Sequence, residues 1–250
     1  FLGTGTSQGV PVIACHCAVC QSVDLKDKRL RTSIMITSET TQVVIDSGPD
    51  FRQQMLTHQV QTLDAIVFTH EHKDHIAGLD DVRAFNFTMG KPVNVYCTEQ
   101  VEEALRREFH YAFSEKKYPG VPEIILNRIE NSPFNINGTT FTPIEVLHFK
   151  MKVFGFRIGN FTYITDANYI SEEEIQKVIG SEILVLNGLR REAHPSHFTL
   201  DESLALIARI KPKEAYLTHI SHQLGKHTDV TAELPANVHL AFDGLTLELD

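Results

Sequence analysis

The chain has 250 residues, 42% of them hydrophobic and 22% charged, enough for one large or two small domains with a sizeable core. No apolar stretch approaches the roughly 20 residues of a membrane span, and a formal net charge of −9 argues against a non-specific nucleic-acid binder. An enzyme with a local basic pocket stays compatible with that charge.

Phe1-Leu2-Gly3-Thr4-Gly5 reads as a strand end entering a glycine loop, not as a signal peptide, and the start at Phe1 suggests that a few residues precede it. Ser33–Thr37 and Gln42–Asp46 are two expected strands around a polar turn. Asp50–Leu56 reads as a helix, and Asp64–Thr69 as a buried strand running into His70. Val93–Cys97 is a further strand, followed by a charged helix near Glu99–Phe109. From Tyr111 to Pro122 the pattern breaks into Tyr, Lys, Gly and Pro, which predicts a lid or insertion near residues 110–125. Strands are then expected at Phe141–Val146, Val153–Ile158, Phe161–Thr165, Ile183–Leu186 and Ala215–Thr218, with helices at Ser171–Ile179 and Leu200–Ile210. Strand clusters in both halves predict two β-sheets packed together with helices outside, in a single domain over residues 1–250.

The densest chemistry lies in Thr69-His70-Glu71-His72-Lys73-Asp74-His75. On a strand end His70 and His72 share a side, because side chains alternate with period two. A following helical turn would point Asp74 and His75 back into the same pocket, a set suited to two nearby metal ions. Further ligands are expected at strand ends: His148 after Val146-Leu147, Asp166 after Ile164-Thr165, and His219 after Leu217-Thr218. Each alone would be an ordinary hydrogen-bonding residue; together they complete two shells. Two divalent ions about 3.5–4 Å apart can share and deprotonate a water and neutralise charge on a phosphoryl oxygen. Nitrogen-rich shells favour zinc, and carboxylates admit manganese.

Three of the four cysteines, Cys15, Cys17 and Cys20, fall within six positions, which suits a metal better than a disulfide framework and makes the cytoplasm the expected compartment. A tetrahedral structural zinc needs a fourth ligand. His222 is the choice, three residues after His219, with His16 as its competitor. Three reduced, metal-free cysteines are the bland alternative. Cys97, inside an apolar strand, belongs to the core.

The order His-x-His-x-Asp-His, then His, Asp and His, resembles the metallo-β-lactamase superfamily over nearly the whole chain. The resemblance implies an αββα sandwich of two mixed β-sheets flanked by helices. It also implies that His70, His72 and His148 hold one ion, Asp74, His75 and His219 the second, and that Asp166 bridges them. Asp46-Ser47-Gly48 resembles the strand-end aspartate that supports such sites, although Asp46 could equally cap a turn. Phe1–Ser7, Gly9-Val10-Pro11, the Cys-x-Cys-x-x-Cys loop, Arg29–Ser33 and Asp46–Arg52 resemble one branch in particular. It contains the phosphoribosyl cyclic phosphodiesterase of the carbon–phosphorus lyase pathway and is similar to the tRNA 3′-processing endonucleases. The likeness spans roughly residues 1–225 and maps an extra zinc onto Cys15, Cys17, Cys20 and His222. In His194-Pro195-Ser196-His197-Phe198-Thr199 it places a phosphate-facing proton donor at His197, whose ordinary pKa near neutrality suits the role. His194 would assist or only pack, and Thr199 would cap the next helix.

Arg31, Arg52, Arg83, Arg190 and Arg191 are candidate phosphate contacts, with surface charge as the default. Lys116-Lys117-Tyr118 could cover a substrate. The leading expectation is therefore a dinuclear metal-dependent phosphodiesterase, with Asp74 and His197 as catalytic residues and a small cyclic or linear diester as substrate. A tRNA 3′-processing nuclease is the alternative enzyme, with nucleic acid entering only as substrate. A non-catalytic metal-binding protein of the same fold is the third class. Relatives of this branch suggest a homodimer.

Overall fold

The computed structural model describes residues 1–249. In chain order the first half carries β1 (Ile34–Thr37), β2 (Gln42–Ile45), α1 (Phe51–Thr57), β3 (Ala65–Val67), α2 (Lys73–Ile76), α3 (Arg83–Met89), β4 (Val93–Cys97), α4 (Glu99–Glu108), α5 (His110–Phe113) and β5 (Ile124–Arg128). The second half carries β6 (Phe134–Ile136), β7 (Thr139–His148), β8 (Met151–Ile158), β9 (Phe161–Ile164), β10 (Tyr169–Ile170), α6 (Glu172–Val178), β11 (Ile183–Asn187), α7 (Leu200–Ile210), β12 (Glu214–Thr218), α8 (His227–Thr231) and β13 (Val238–Leu240).

One sheet runs β1-β2-β3-β4-β5 and the other β10-β7-β8-β9-β11-β12-β13, with β6 paired to the start of β7. Both are mixed: β1 is antiparallel to β2 while β2 to β5 are parallel, and β7, β8 and β9 alternate before the parallel run β9-β11-β12-β13.

Period-two alternation builds the layers. Val43, Ile45, Ala65 and Val67 turn one way and meet Phe141, Phe156, Tyr163 and Val185 of the other sheet. Their neighbours Val44, Ile66 and Phe68 turn the other way and pack with Phe51, Phe85, Val101 and Leu105. On the far side Ile144, Ile164, Leu184 and Leu186 pack against Ile175, Ile207 and Ile210. Helices therefore cover the outer face of each sheet, giving the expected αββα sandwich. Each fully buried Val, Leu, Ile or Phe contributes about 1.5–3 kcal/mol relative to exposure.

α7 shows the local logic. Leu200, Ser203, Ile207 and Ile210 recur at helical spacing and are buried. Thr199 Oγ1 accepts from Glu202 N at 3.2 Å while Glu202 Oε2 accepts from Thr199 N at 2.8 Å, a reciprocal capping box. Thr199 thus caps the helix.

The expected strands and helices appear with small boundary changes, and Cys97 is fully buried in β4 as expected. The stretch assigned to a lid near 110–125 is narrower than expected: α5 takes its start and β5 its end, leaving exposed residues 114–120 between them. Lys116, Lys117 and Tyr118 lie there, exposed. Strands β5, β6, β10 and β13 and helices α3 and α8 lacked a sequence signal, because short segments at sheet edges or over a partly covered face carry little periodicity.

Because β7 and β9 are each antiparallel to β8, they point the same way, and β11 and β12 follow β9. The C-terminal ends of β7, β9 and β12 therefore gather at one edge of the sandwich. Phe154 N donates to Thr69 O at 3.1 Å, bringing the end of β3 to the same place.

Candidate metal centre

His70 follows β3 by three residues, and His72 sits at the N-terminus of the single-turn α2, which carries Asp74 and His75. His148 ends β7, Asp166 follows β9 and His219 follows β12. Asp46, Asp166 and His219 all adopt left-handed backbone, with φ of 66°, 55° and 54°. That conformation is uncommon outside glycine and concentrates where function requires it. Here it turns each strand end inward.

Two abutting sets result. His70, His72 and His148 bring one nitrogen each within 4.8 Å of one another, and Asp74, His75, Asp166 and His219 do the same with their ligand atoms. Asp166 also forms a group with His148 and His197, so it reaches toward the first set from within the second. His70 Nε2 lies 3.1 Å from His72 Nδ1. His75 Nε2 lies 3.2 Å from Asp74 Oδ2 and 3.3 Å from Asp166 Oδ2, and His219 Nε2 lies 3.2 Å from Asp166 Oδ1. Ligands around a tetrahedral zinc with bonds of about 2.0–2.1 Å stand about 3.3 Å apart. His75 Nε2 and His219 Nε2 are buried and, despite those short separations, have no hydrogen-bond partner. Contact distance without hydrogen-bond alignment fits shared ligation of a cation.

Second contacts fix which nitrogen faces inward. A carboxylate only accepts, so His75 Nδ1 donates to Asp46 Oδ2 at 2.7 Å and leaves Nε2 for the cluster. Asp46 also accepts from Thr69 N at 2.9 Å and Thr69 Oγ1 at 2.8 Å. With its hydroxyl hydrogen committed to Asp46, Thr69 Oγ1 accepts from His70 Nδ1 at 2.9 Å, which leaves His70 Nε2 inward as well. His148 Nδ1 donates to Ser196 O at 2.8 Å. Asp46 is thus a buried support of the cluster.

Charge follows geometry. Burial works against a charged His75, but Asp74, Asp166 and Asp46 outweigh it and raise its pKa well above the ordinary value. Burial likewise works against ionised Asp166 and Asp74, yet nearby histidines hold both well below the carboxylate range. Burial is the chief cause that lowers His70 and His148, which keeps both imidazoles neutral, the form able to ligate a metal. Three carboxylates around one imidazole demand positive charge, which a protonated histidine or a metal cation supplies.

His197 lies beside both sets, its ring 4.6 Å from His148 and 4.7 Å from His219, stacked on the latter. Phe198 N donates to Ala167 O at 2.7 Å and holds it there. Burial, then His219, lowers the His197 pKa to about 2, leaving a neutral ring. Its Nδ1 is buried, has no hydrogen-bond partner and lies 3.8 Å from Asp166 Oδ1. His194 stands 5.0 Å from His197, its Nδ1 accepting from Ser196 N and positioned 3.2 Å from Ser196 Oγ, which shapes the loop.

The third cluster joins Cys15, Cys17, Cys20 and His222. Their sulfurs lie 3.3, 3.3 and 3.5 Å from His222 Nδ1, near the roughly 3.5 Å edge of a tetrahedral site with zinc–sulfur bonds of about 2.3 Å. His222 closes this set, while His16 is exposed. The Cys20 N–H bond, against a raising effect of burial, helps lower the Cys17 thiol to about 6, favouring the thiolate at neutral pH; burial raises Cys20 to about 11.

The candidate arginines find other partners. Arg31 pairs with Asp50 at 3.0 Å, Arg83 with Asp80 at 3.5 Å and Arg191 with Glu233 at 2.7 Å. Arg190 donates to Gln223 Oε1 and to the carbonyls of Glu192 and Ala193, and Arg52 is exposed. Sequence reasoning missed Asn187, whose buried amide accepts from Ala167 N at 2.8 Å and donates to Ala167 O at 3.0 Å, bracing the Asp166 turn. A polar residue ending the apolar run Ile183–Leu186 was the available signal.

Residues 41–220 match the family model described as the beta-lactamase superfamily domain. The chain belongs to the metallo-β-lactamase superfamily. A crystal structure of a diphosphatase from the PhnP family is 41% identical, covers all of this chain and 96% of its own, and superposes with a TM-score of 0.93. Zinc-bound PqqB from Methylobacterium extorquens shares the fold at 20% identity, with a TM-score of 0.80 over 99% of this chain and 98% of its own. A Porphyromonas gingivalis protein named octanoyltransferase is 38% identical over the whole chain, which covers 51% of that protein. The chain spans about half the length of the curated relatives it matches.

Proposed function

We propose that this superfamily hydrolase is a dinuclear metal-dependent phosphodiesterase. The observation that carries it is the pair of abutting ligand sets with Asp166 reaching both and His197 stacked alongside. The 41% identical diphosphatase, which also acts on a phosphorus centre by its name, supports the same class.

In this reading His70, His72 and His148 would hold one ion and Asp74, His75 and His219 the other, with Asp166 reaching toward both sets; zinc or manganese suits the donors. When bound, such a pair supplies Lewis-acid polarisation of a phosphoryl oxygen and activates water at neutral pH. The chain's own residues do the rest. Asp46 and Ser196 O hold His75 and His148 with Nε2 inward. The carboxylate of Asp74, 15% exposed, is the most open of its set and the one that faces the substrate side. His197 faces the phosphate, whose negative charge offsets the burial that keeps the ring neutral, and passes a proton to the leaving oxygen. Cys15, Cys17, Cys20 and His222 hold a separate structural zinc that ties the N-terminal loop to the His219 segment.

The test is hydrolysis of bis(p-nitrophenyl) phosphate by metal-replete protein beside Asp74→Ala and His197→Ala. Turnover abolished in the first and reduced about 10²–10⁴-fold in the second is expected for a lost ligand and a lost general acid. No turnover with two bound equivalents of zinc or manganese would overturn the phosphodiesterase reading.

A further inference from the structure

The β7–β8 hairpin closes on two residues, Phe149 and Lys150, with His148 and Met151 paired across its base. Phe149 has φ of 59°, a left-handed conformation that hairpin turns ordinarily give to glycine or asparagine. The residue is 56% exposed, so burial does not offset the backbone strain. The turn is nevertheless held firmly. Phe149 N donates to Asn168 Oδ1 at 2.7 Å, and Asn168 N donates to Leu147 O at 2.8 Å. Asn168 follows Asp166 by two residues, so the strand end that carries the central carboxylate also clamps the exposed phenylalanine beside His148.

A 620 Å³ groove opens there, lined by His72, His148, Phe149, Lys150, Met151 and Pro195 among others. That volume lies in the range of small-molecule sites, about 300–1,000 Å³. His72 and His148 belong to the first metal set, so the groove begins where the scissile phosphate would sit. The Lys150 ammonium lies 5.4 Å from the Phe149 ring centroid, placing a cation next to an aromatic face. An aromatic face, a cation and an apolar floor, continuous with a phosphate site, match the parts of a nucleotide.

We propose that this groove is the subsite for the nucleoside portion of a free nucleotide-type substrate, with the planar base stacked on Phe149 and Lys150 meeting a phosphate oxygen. The proposal deepens the phosphodiesterase reading and rests on it for the position of the phosphate. A small cyclic sugar phosphate has no planar face to cover Phe149. The net charge of −9 disfavours a long polyanion and favours a free nucleotide over a nucleic-acid strand.

The test is calorimetric binding of AMP and of ribose 5-phosphate to zinc-loaded protein, for the wild type, Phe149→Gly and Phe149→Tyr. Glycine is at home at this φ, so the hairpin keeps its fold while losing the ring. Base–aromatic stacking by alanine substitution corresponds to a loss of about 5- to 150-fold. AMP should weaken by that factor in Phe149→Gly and keep its affinity in Phe149→Tyr, with ribose 5-phosphate unchanged throughout. Equal effects on both ligands, or none on AMP, would overturn the subsite. A short oligoadenylate binding more tightly than AMP would overturn the free nucleotide as occupant. The two readings fail separately. Phe149-dependent AMP binding without diester turnover defeats the hydrolase and leaves the subsite, and turnover with Phe149-independent AMP binding does the reverse.

Discussion

Replacing Asp46 by Asn tests the central claim that one buried carboxylate fixes the inward nitrogen of one histidine in each set, His75 directly and His70 through Thr69. Asp46 is fully buried and accepts three hydrogen bonds, two from Thr69 and one from His75. An asparagine that keeps its oxygen toward Thr69 N turns its NH₂ toward Thr69 Oγ1 and His75 Nδ1. His75 Nδ1 must then accept, which puts its proton on Nε2, facing Asp74 and Asp166. Thr69, now accepting from the amide, turns its hydroxyl hydrogen toward His70 Nδ1, and the His70 proton moves to Nε2 as well. The opposite amide orientation faces two N–H donors at Thr69 N, an orphaned buried donor costing about 1–3 kcal/mol. Loss of a supporting partner of this kind lowers metal affinity about 10–100-fold, or about 1.4–2.7 kcal/mol per ion. Chelator competition with zinc should therefore show both catalytic equivalents weakened in Asp46→Asn. Thr69→Val, which removes the relay to His70 and one of the three bonds to Asp46 but keeps the Asp46–His75 bond, should weaken the ion at the His70 set more than the other. Wild-type affinity for both ions in Asp46→Asn refutes the reasoning, and loss of a single ion there refutes the Thr69 relay.

Two further outcomes follow from the site's surroundings. Cys17→Ser should cost one zinc equivalent out of three by elemental analysis and lower the melting temperature, leaving the two catalytic equivalents bound; loss of all three would show that the cysteine site does not stand apart. Gly48→Ala places a Cβ 2.0 Å from Asp74 O, so the turn after β2 must separate from α2. Overpacking of this kind costs about 1–3 kcal/mol. A lowered melting temperature together with weaker binding at the Asp74 set is expected, and an unchanged melting temperature would show that the two segments do not need their close approach.

Much of this protein was legible without coordinates, because local spacing encodes it. His70 through His75 lie in one short run, so strand-then-helix geometry alone brings them near one another. His148, Asp166 and His219 each end an apolar strand, and the alternation of Val43-Val44-Ile45 and Ala65-Ile66-Val67 separates the two packing faces. The tertiary structure decided what depends on residues far apart in the chain. Asp46 and His75 are joined across 29 positions, and the fit of Gly48 and Gly78 against their neighbours' carbonyls permits that approach. His222 rather than His16 meets the three cysteines because the His219 segment is pinned between Thr4 and Thr6, where Ile220 N donates to Thr4 O and Thr6 N donates to Ile220 O. The arginines found carboxylates and carbonyls of other loops, which no spacing announces. The left-handed turns at Asp46, Phe149, Asp166 and His219 arise from the competition between chain direction and side-chain contacts, and that competition exists only once the two sheets have packed.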